Sequence, residues 1–235
     1  MNRKPESHGK CIFCNELFAS SSMTKHLQSC EKRKQVLHKE SAAKRSKIYG
    51  LKIWATYNPA YWLFLEVDHS ARFENLDNFL RKTWLECCGH LSAFTIQDIR
   101  YELETDSPDL MAKMFSGEES KTMGASLGSV LSNELVFHYE YDFGSTTDLD
   151  LKVLWERKGR LNKKGVTVLS RNEPIGFKCT ACGQIAEVVC AECGYEKDAS
   201  YCSSCAAKHE CGEEMLLPVV NSPRMGVCGY EGAGV

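Results

Sequence analysis

Seven cysteines and one histidine fall within the 33 residues from Cys179 to Cys211, CTACGQIAEVVCAECGYEKDASYCSSCAAKHEC. The order is Cys-x2-Cys, seven residues, Cys-x2-Cys, eight residues, Cys-x2-Cys, three residues, His, one residue, Cys. Each Cys-x2-Cys turn aims two thiolates, with nearby backbone N–H groups, at one ion. A structural zinc takes four ligands, so Cys179, Cys182, Cys190, Cys193, Cys202, Cys205, His209 and Cys211 suffice for two closed sites. Closed sites stabilise a fold and leave no position for a substrate. A segment this short holds too little apolar area for a core, and metal supplies the missing stability. The pairs can be filled sequentially or crosswise, and spacers of seven and eight residues permit both.

Thirteen cysteines is a high count, and their distribution is uneven. Three lie at the front, eight at the back, and Cys87 and Cys88 between. The beginning MNRKPESHGK lacks the apolar stretch of a secretory signal, and no run of 18 apolar residues suggests a membrane span. The expectation is a cytoplasmic chain whose cysteines are metal ligands rather than disulfides. In CIFCNELFASSSMTKHLQSC, Cys11 and Cys14 form a knuckle, and His26 and Cys30 at i and i+4 share a helix face. Together they complete a third tetrahedron, with Phe18 and Met23 as its small core. This resembles a zinc finger with cysteine as the last ligand. It has one residue fewer between Cys14 and His26 than the usual DNA-reading finger, and Ser20, Ser21 and Thr24 stand where bases would be read. About three zinc ions are expected in all.

Charge is asymmetric. Residues 1–48 carry 11 Lys/Arg against 4 Asp/Glu, whereas the remainder carries 18 against 27. The tract Glu31 to Lys47 reads as a basic continuation of the finger helix, able to meet DNA or RNA phosphates or simply to stay in water.

Three segments follow: a finger with basic helix at 1–48, a middle domain at 49–176, and a double metal module with tail at 177–235. The middle segment predicts α+β. LKIWATY and YWLFLEV read as strands, and ELVFHYEYDFG with TTDLDLKVLWER as a hairpin. LSAFTIQDIRYEL is a further strand region, GVTVLSRNEP a last strand or an extended lead into the metal module, and LGSVLSN a short helix. SPDLMAKMFSGEESKTMGA reads as a loop with a short helical turn. FENLDNFLRKTWLECCG predicts an amphipathic helix, with Phe73, Leu76, Leu80, Trp84 and Cys87 facing a sheet and Gly89 ending it. Cys87 and Cys88 read as small buried core residues, and His90 as a partner for the helix C-terminus. Glu140 and Asp142 complete the polar groups from which a middle-domain site can be imagined. No phosphate loop, nucleophile elbow or dinucleotide fingerprint is present.

The stretches LDNFLRKTWLECCGHLSAF and YEYDFGSTTDLDLKV resemble the plasmid open-reading-frame-three-like family of bacteria and archaea, some of whose members are described as transposon passengers. The resemblance spans roughly residues 50–157. It implies an α+β domain with an antiparallel sheet and no established activity, carried on a mobile element. Many members read YDFGD followed by Trp and His; here the hairpin reads Tyr141-Asp142-Phe143-Gly144-Ser145-Thr146-Thr147-Asp148, so no site is carried over there. The C-terminal ligand pattern resembles the B-box and related interaction modules. That favours the crossed pairing, with Cys179, Cys182, Cys202 and Cys205 on one ion and Cys190, Cys193, His209 and Cys211 on the other. The tail EEMLLPVVNSPRMGVCGYEGAGV resembles the ending of long members with zinc modules. MLLPVV reads as a strand that can join the middle sheet at its edge. Cys228 is a candidate spare ligand but, lacking a partner knuckle, reads as structural.

These readings point to a multi-zinc protein without catalysis of its own. It contacts nucleic acid through residues 1–48, or alternatively another protein through its zinc modules, with no membrane partner; an enzyme in the middle domain is the weakest of the three alternatives.

Overall fold

The computed structural model describes residues 7–39, 46–103, 120–161, 165–195 and 199–232. The chain is α+β and divides into two compact units. One comprises Met1–Phe79 and Leu91–Asn172, the other Leu80–His90 and Glu173–Val235. These units cut across the three segments read from the sequence.

The first unit begins with strands β1 (His8–Lys10) and β2 (Leu17–Ala19), then helices α1 (Ser20–Ser29) and α2 (Glu31–His38). β3 (Ser46–Ala55) and β4 (Trp62–Asp68) follow, then helix α3 (Phe73–Leu80), β5 (Ser92–Ile96), β6 (Ile99–Glu102) and β7 (Ser120–Thr122). β8 (Val136–Tyr141), β9 (Thr147–Gly159) and β10 (Val166–Arg171) complete it. β3 to β10 form an eight-stranded sheet in the order β10-β4-β3-β9-β8-β5-β6-β7. Every neighbouring pair is antiparallel, as expected, except β6 with β7, which makes the sheet mixed at that end. The strand region LSAFTIQDIRYEL consists of two strands. Gln97 and Asp98 take φ of 48° and 67°, the left-handed pair that a two-residue hairpin between β5 and β6 needs. The expected short helix LGSVLSN is a single 3-10 turn, Leu127–Ser129. Most of the polar stretch before it lies outside the described residues.

Period-two alternation sends the residues of each strand to opposite faces. On one face, α3 packs through Phe73, whose ring lies 5.2 Å from Phe94 and 5.0 Å from Tyr101. Asp77 of α3 is buried there and accepts hydrogen bonds from Ser92 Oγ (2.6 Å) and Tyr139 Oη (2.7 Å). On the other face, Trp62, Phe64 and Leu169 form one core with Cys11, Met23, Leu27 and Cys30. β4 is therefore covered on both sides, which explains why Trp62 to Leu65 is a continuous apolar run rather than an alternating one.

The finger hairpin also sits against β10. Ile12 N–H donates to Leu169 O (3.0 Å), Ser170 Oγ to Lys10 O (2.8 Å), and Gly9 bridges Asn172. A Cβ at Gly9 would fall 2.2 Å from Arg171 O, so only glycine allows this backbone approach.

α1 and α2 are separate helices, because the backbone is extended at Cys30 (φ −60°, ψ 114°). The basic tract does not run on as one helix to Lys47: α2 ends at His38, and Ser46 and Lys47 already belong to β3. Arg33 of α2 turns inward. It donates to Glu66 Oε1 at 2.6 Å and to Leu27 O at 2.7 Å, and its guanidinium lies over Trp155. Arg157 holds the other oxygen of Glu66 at 2.6 Å.

In the second unit, α3 continues into a π-helical turn at Arg81–Leu85. Strands β11 (Val188–Cys190), β12 (Ser200–Tyr201) and β13 (Leu216–Pro218) form a small sheet in the order β12-β11-β13, with helix α4 (Ser203–Ala206) following β12. MLLPVV thus pairs with β11 inside this unit, not with the large sheet; Val188, Val189 and Cys190 face Pro218, Leu217 and Leu216. Pro218 sits at the end of an edge strand, where its missing N–H is tolerated.

Candidate metal centres

The N-terminal group is built by a hairpin turn and a helix end. Asn15 takes φ of 64° and donates its N–H to Cys11 O (2.8 Å), while Cys11 N–H reaches Glu16 O (3.0 Å). This turn brings Cys11 and Cys14 together. α1 delivers His26 one turn before Cys30. The Phe18 ring stacks on the His26 imidazole at 3.7 Å and fixes its plane. Cys14 Sγ lies 3.3 Å from His26 Nε2, and all four ligand atoms fall within 4.8 Å of one another. Burial pushes the Cys11 thiol up to about 11. A coordinated cation overrides this by deprotonating the thiol outright.

The eight C-terminal ligands gather crosswise: Cys179, Cys182, Cys202 and Cys205 in one group, Cys190, Cys193, His209 and Cys211 in the other. The strand ladder explains why. β11 and β12 are antiparallel, with Val188 opposite Tyr201 and Val189 opposite Ser200, so Cys190 and Cys202 leave the ladder at opposite ends. Thr180 N–H to Ser200 O (2.8 Å) ties the first knuckle beside the third. Ala191 N–H to Met215 O (2.8 Å) holds the chain after His209 and Cys211 beside the second. A backbone hydrogen bond from Cys202 holds the Cys179 thiol down at about 6. Burial works to raise Cys190, but a backbone bond from Cys193 and its neighbours His209 and Cys211 bring it down to about 7. The Tyr201 ring lies 4.5 Å from His209.

The donor chemistry fits zinc. Tetrahedral Zn–S and Zn–N bonds put sulfur–sulfur edges at about 3.8 Å and sulfur–nitrogen edges at about 3.5 Å. The separations are 3.6 Å for Cys182–Cys202, 3.5 Å for Cys193–Cys211 and 3.6 Å for Cys193 Sγ to His209 Nε2. All twelve ligands expected from the sequence are thereby placed in three groups that can hold metal ions.

A fourth group was not legible in the spacing. Cys87, Cys88, His90 and Cys228 also bring their ligand atoms within 4.8 Å of one another. The sequence reading placed Cys87 and Cys88 in the core, His90 at a helix end and Cys228 without partners. Instead Cys87 is half-buried, Cys88 and Cys228 are exposed, and His90 Nε2 lies 3.2 Å from Cys228 Sγ. The helix stops short of them: the π turn ends at Leu85, and Glu86 is extended. The overlooked signal was Cys-Cys-x-His together with one unassigned cysteine 138 residues downstream.

The remaining polar candidates are engaged within the first unit. Glu140 Oε2 accepts from Arg100 at 2.7 Å. Asp142 is buried and closes the β8–β9 turn by accepting Gly144 N–H at 3.1 Å. His138, not singled out from the sequence, lies between Asp148 (3.1 Å) and Asp150 (3.2 Å) on the sheet face.

No family model matches the chain, and no curated protein matches it. A crystal structure of a protein of unknown function, MM3350 from Methanosarcina mazei Go1, is similar over 55% of this chain and 71% of that one. The two are 17% identical and superpose with a TM-score of 0.46. Among the described residues no helix is long and apolar enough to cross a membrane.

Proposed function

We propose that this chain is a non-enzymatic multi-zinc binding protein that associates with nucleic acid through the basic surface of its N-terminal finger and helices. The observation that carries this reading is the division of labour among the cations of α1 and α2. Arg33 is buried against Glu66, whereas Lys25, Lys32, Lys34 and Lys39 are exposed. Exposed lysines on a rigid, metal-anchored platform suit the phosphate backbone, whose binding releases counterions. Small residues at Ser20, Ser21 and Thr24 offer little to base edges, so the contact positions without reading sequence. Lys44 and Arg45, part of the same basic tract, lie outside the described residues. Zinc in the closed Cys/His groups stabilises the fold and leaves no coordination position for catalysis.

The test is fluorescence anisotropy with duplex DNA and single-stranded RNA, titrated with salt, on the whole zinc-loaded chain. Lys25→Gln, Lys32→Gln and Lys39→Gln together should weaken binding. On duplex they should flatten the slope of log K against log salt by roughly 2 to 3, at about 0.9 per phosphate contact. Affinity and slope unchanged by the triple variant, or no binding at low salt, would sink the proposal.

A second reading, protein docking through the C-terminal module, is favoured by its charge: residues 179–235 carry 8 acids against 3 bases. Ile185 is 71% exposed beside the first knuckle. A defined partner lost on Ile185→Asp with zinc content unchanged, in a chain that ignores nucleic acid, would establish this reading over the first.

A further inference from the structure

We propose that Cys87, Cys88, His90 and Cys228 form a fourth zinc site, independent of the three groups marked by sequence spacing. It belongs wholly to the second unit, where it ties the turn after the π helix to the C-terminal tail.

Both halves of the site are shaped in advance. On the first, the Glu86 carboxylate accepts Gly89 N–H at 2.6 Å and holds Arg81 at 2.9 Å, while Arg81 also donates to His90 O at 2.6 Å. Gly89 takes φ of 71°, a left-handed turn that reverses the chain between the cysteine pair and the histidine. On the second, Ser222 Oγ donates to Trp84 O at 2.5 Å and accepts Arg224 N–H at 2.9 Å. Val227 N–H then reaches Arg224 O (3.1 Å), and Tyr230 N–H reaches Val227 O (3.0 Å). Cys228 sits at φ of 49° between these bonds, a rare conformation for a side-chain-bearing residue, and Tyr230 is buried beyond it. The tail is thus anchored on either side of the one residue that presents its sulfur to His90.

The surroundings match the charge of such a site. Three thiolates and a neutral imidazole around Zn2+ carry a net charge of −1. Arg224, fully buried, directs its Nε to Cys87 Sγ at 3.4 Å. A buried guanidinium beside a coordinated thiolate offsets that charge, the role outer-shell donors play in metal sites. His90 presents Nε2 to the group, so its ligating form carries the proton on Nδ1. The site differs from the other three in exposure: Cys88 and Cys228 are both exposed and none of its ligands is buried, whereas each of the others has at least one buried cysteine. Among the four it exchanges metal most readily.

Native mass spectrometry of the whole zinc-loaded chain should count four ions, and Cys88→Ser/Cys228→Ser should count three. Alkylation gives an independent reading without any substitution. In the zinc-loaded protein Cys88 and Cys228 should resist N-ethylmaleimide despite their exposure, and should be the first cysteines to react as chelator is added. A count of three in the unsubstituted chain, or prompt alkylation of Cys88 and Cys228 in the zinc-loaded state, overturns the proposal. Either result leaves the three spacing-marked groups and the nucleic-acid reading intact.

Discussion

Glu66 is a carboxylate only 2% exposed, in the middle of a strand, gripped from two sides by Arg33 and Arg157. Burial alone would raise its pKa. The two guanidiniums outweigh that and hold it below its ordinary value of 4.5. A depressed folded-state pKa stabilises the protein above the unfolded value, and this contribution is lost as pH falls through the lower folded value. Glu66→Gln leaves two cations without their counter-ion in a poorly solvated place, and should cost about 3 to 5 kcal/mol. Urea midpoints of both proteins at pH 7 check the magnitude. Repeating them between pH 5 and 3 checks the sign, because the gap between the two proteins should narrow on acidification. A gap constant across that range would show that Glu66 is not ionised in the fold. None of this was legible in YWLFLEV, which reads only as a strand. The partners of Glu66 lie 33 and 91 residues away, and no local pattern encodes pairs at that distance. The twelve spacing-marked ligands were legible for the opposite reason: a knuckle or an i,i+4 pair is a local device. Cys228 fails that condition as Glu66 does.

Among the elements, the α1–α2 pair departs most from its sequence reading. Residue preferences favour one long helix through EKRKQVLHKESAAKRSK, and no Pro or Gly interrupts it. Tertiary demands decide otherwise, because Cys30 must reach the ligand set and Arg33 must reach Glu66. Propensities worth a few tenths of a kcal/mol per residue yield to a buried ion pair and a metal centre. The finger is stabilised from beneath as well: Met23 and Leu27 are fully buried in the core shared with Trp62 and Phe64. Met23→Ala should cost about 2 to 4 kcal/mol, read as a lower urea midpoint in the zinc-loaded protein. Were the finger an independent knuckle loosely tethered to the sheet, the same change would leave the main transition where it is. The β8–β9 hairpin, by contrast, was readable directly, since alternation with a clear turn at Gly144-Ser145 suffices to specify it.

At the scale of the whole molecule, the two units rest on different sources of stability. The first has an eight-stranded sheet with aromatic cores on both faces. The second has, among its described residues, a sheet of three short strands and a large share of the candidate metal ligands. Exhaustive chelation should therefore abolish hydrogen-exchange protection at Val188, Val189 and Leu217, while Leu51, Ile53 and Leu65 remain slow to exchange. Loss of protection in both sets together, or in neither, would contradict this division.

The close approach of the finger hairpin to Arg171 carries a consequence for the metal-starved chain. β10 is an edge strand of the large sheet, and the hairpin occupies the backbone carbonyl of Leu169, bridges Asn172 and takes a hydrogen bond from the Ser170 hydroxyl. An open sheet edge is a template for another chain. A zinc ion held by Cys11, Cys14, His26 and Cys30, as proposed, would act as a latch on that edge. When it leaves, the protein should grow into chain-to-chain assemblies rather than merely soften. Light scattering after mild chelation should rise with protein concentration and fall when zinc is returned early.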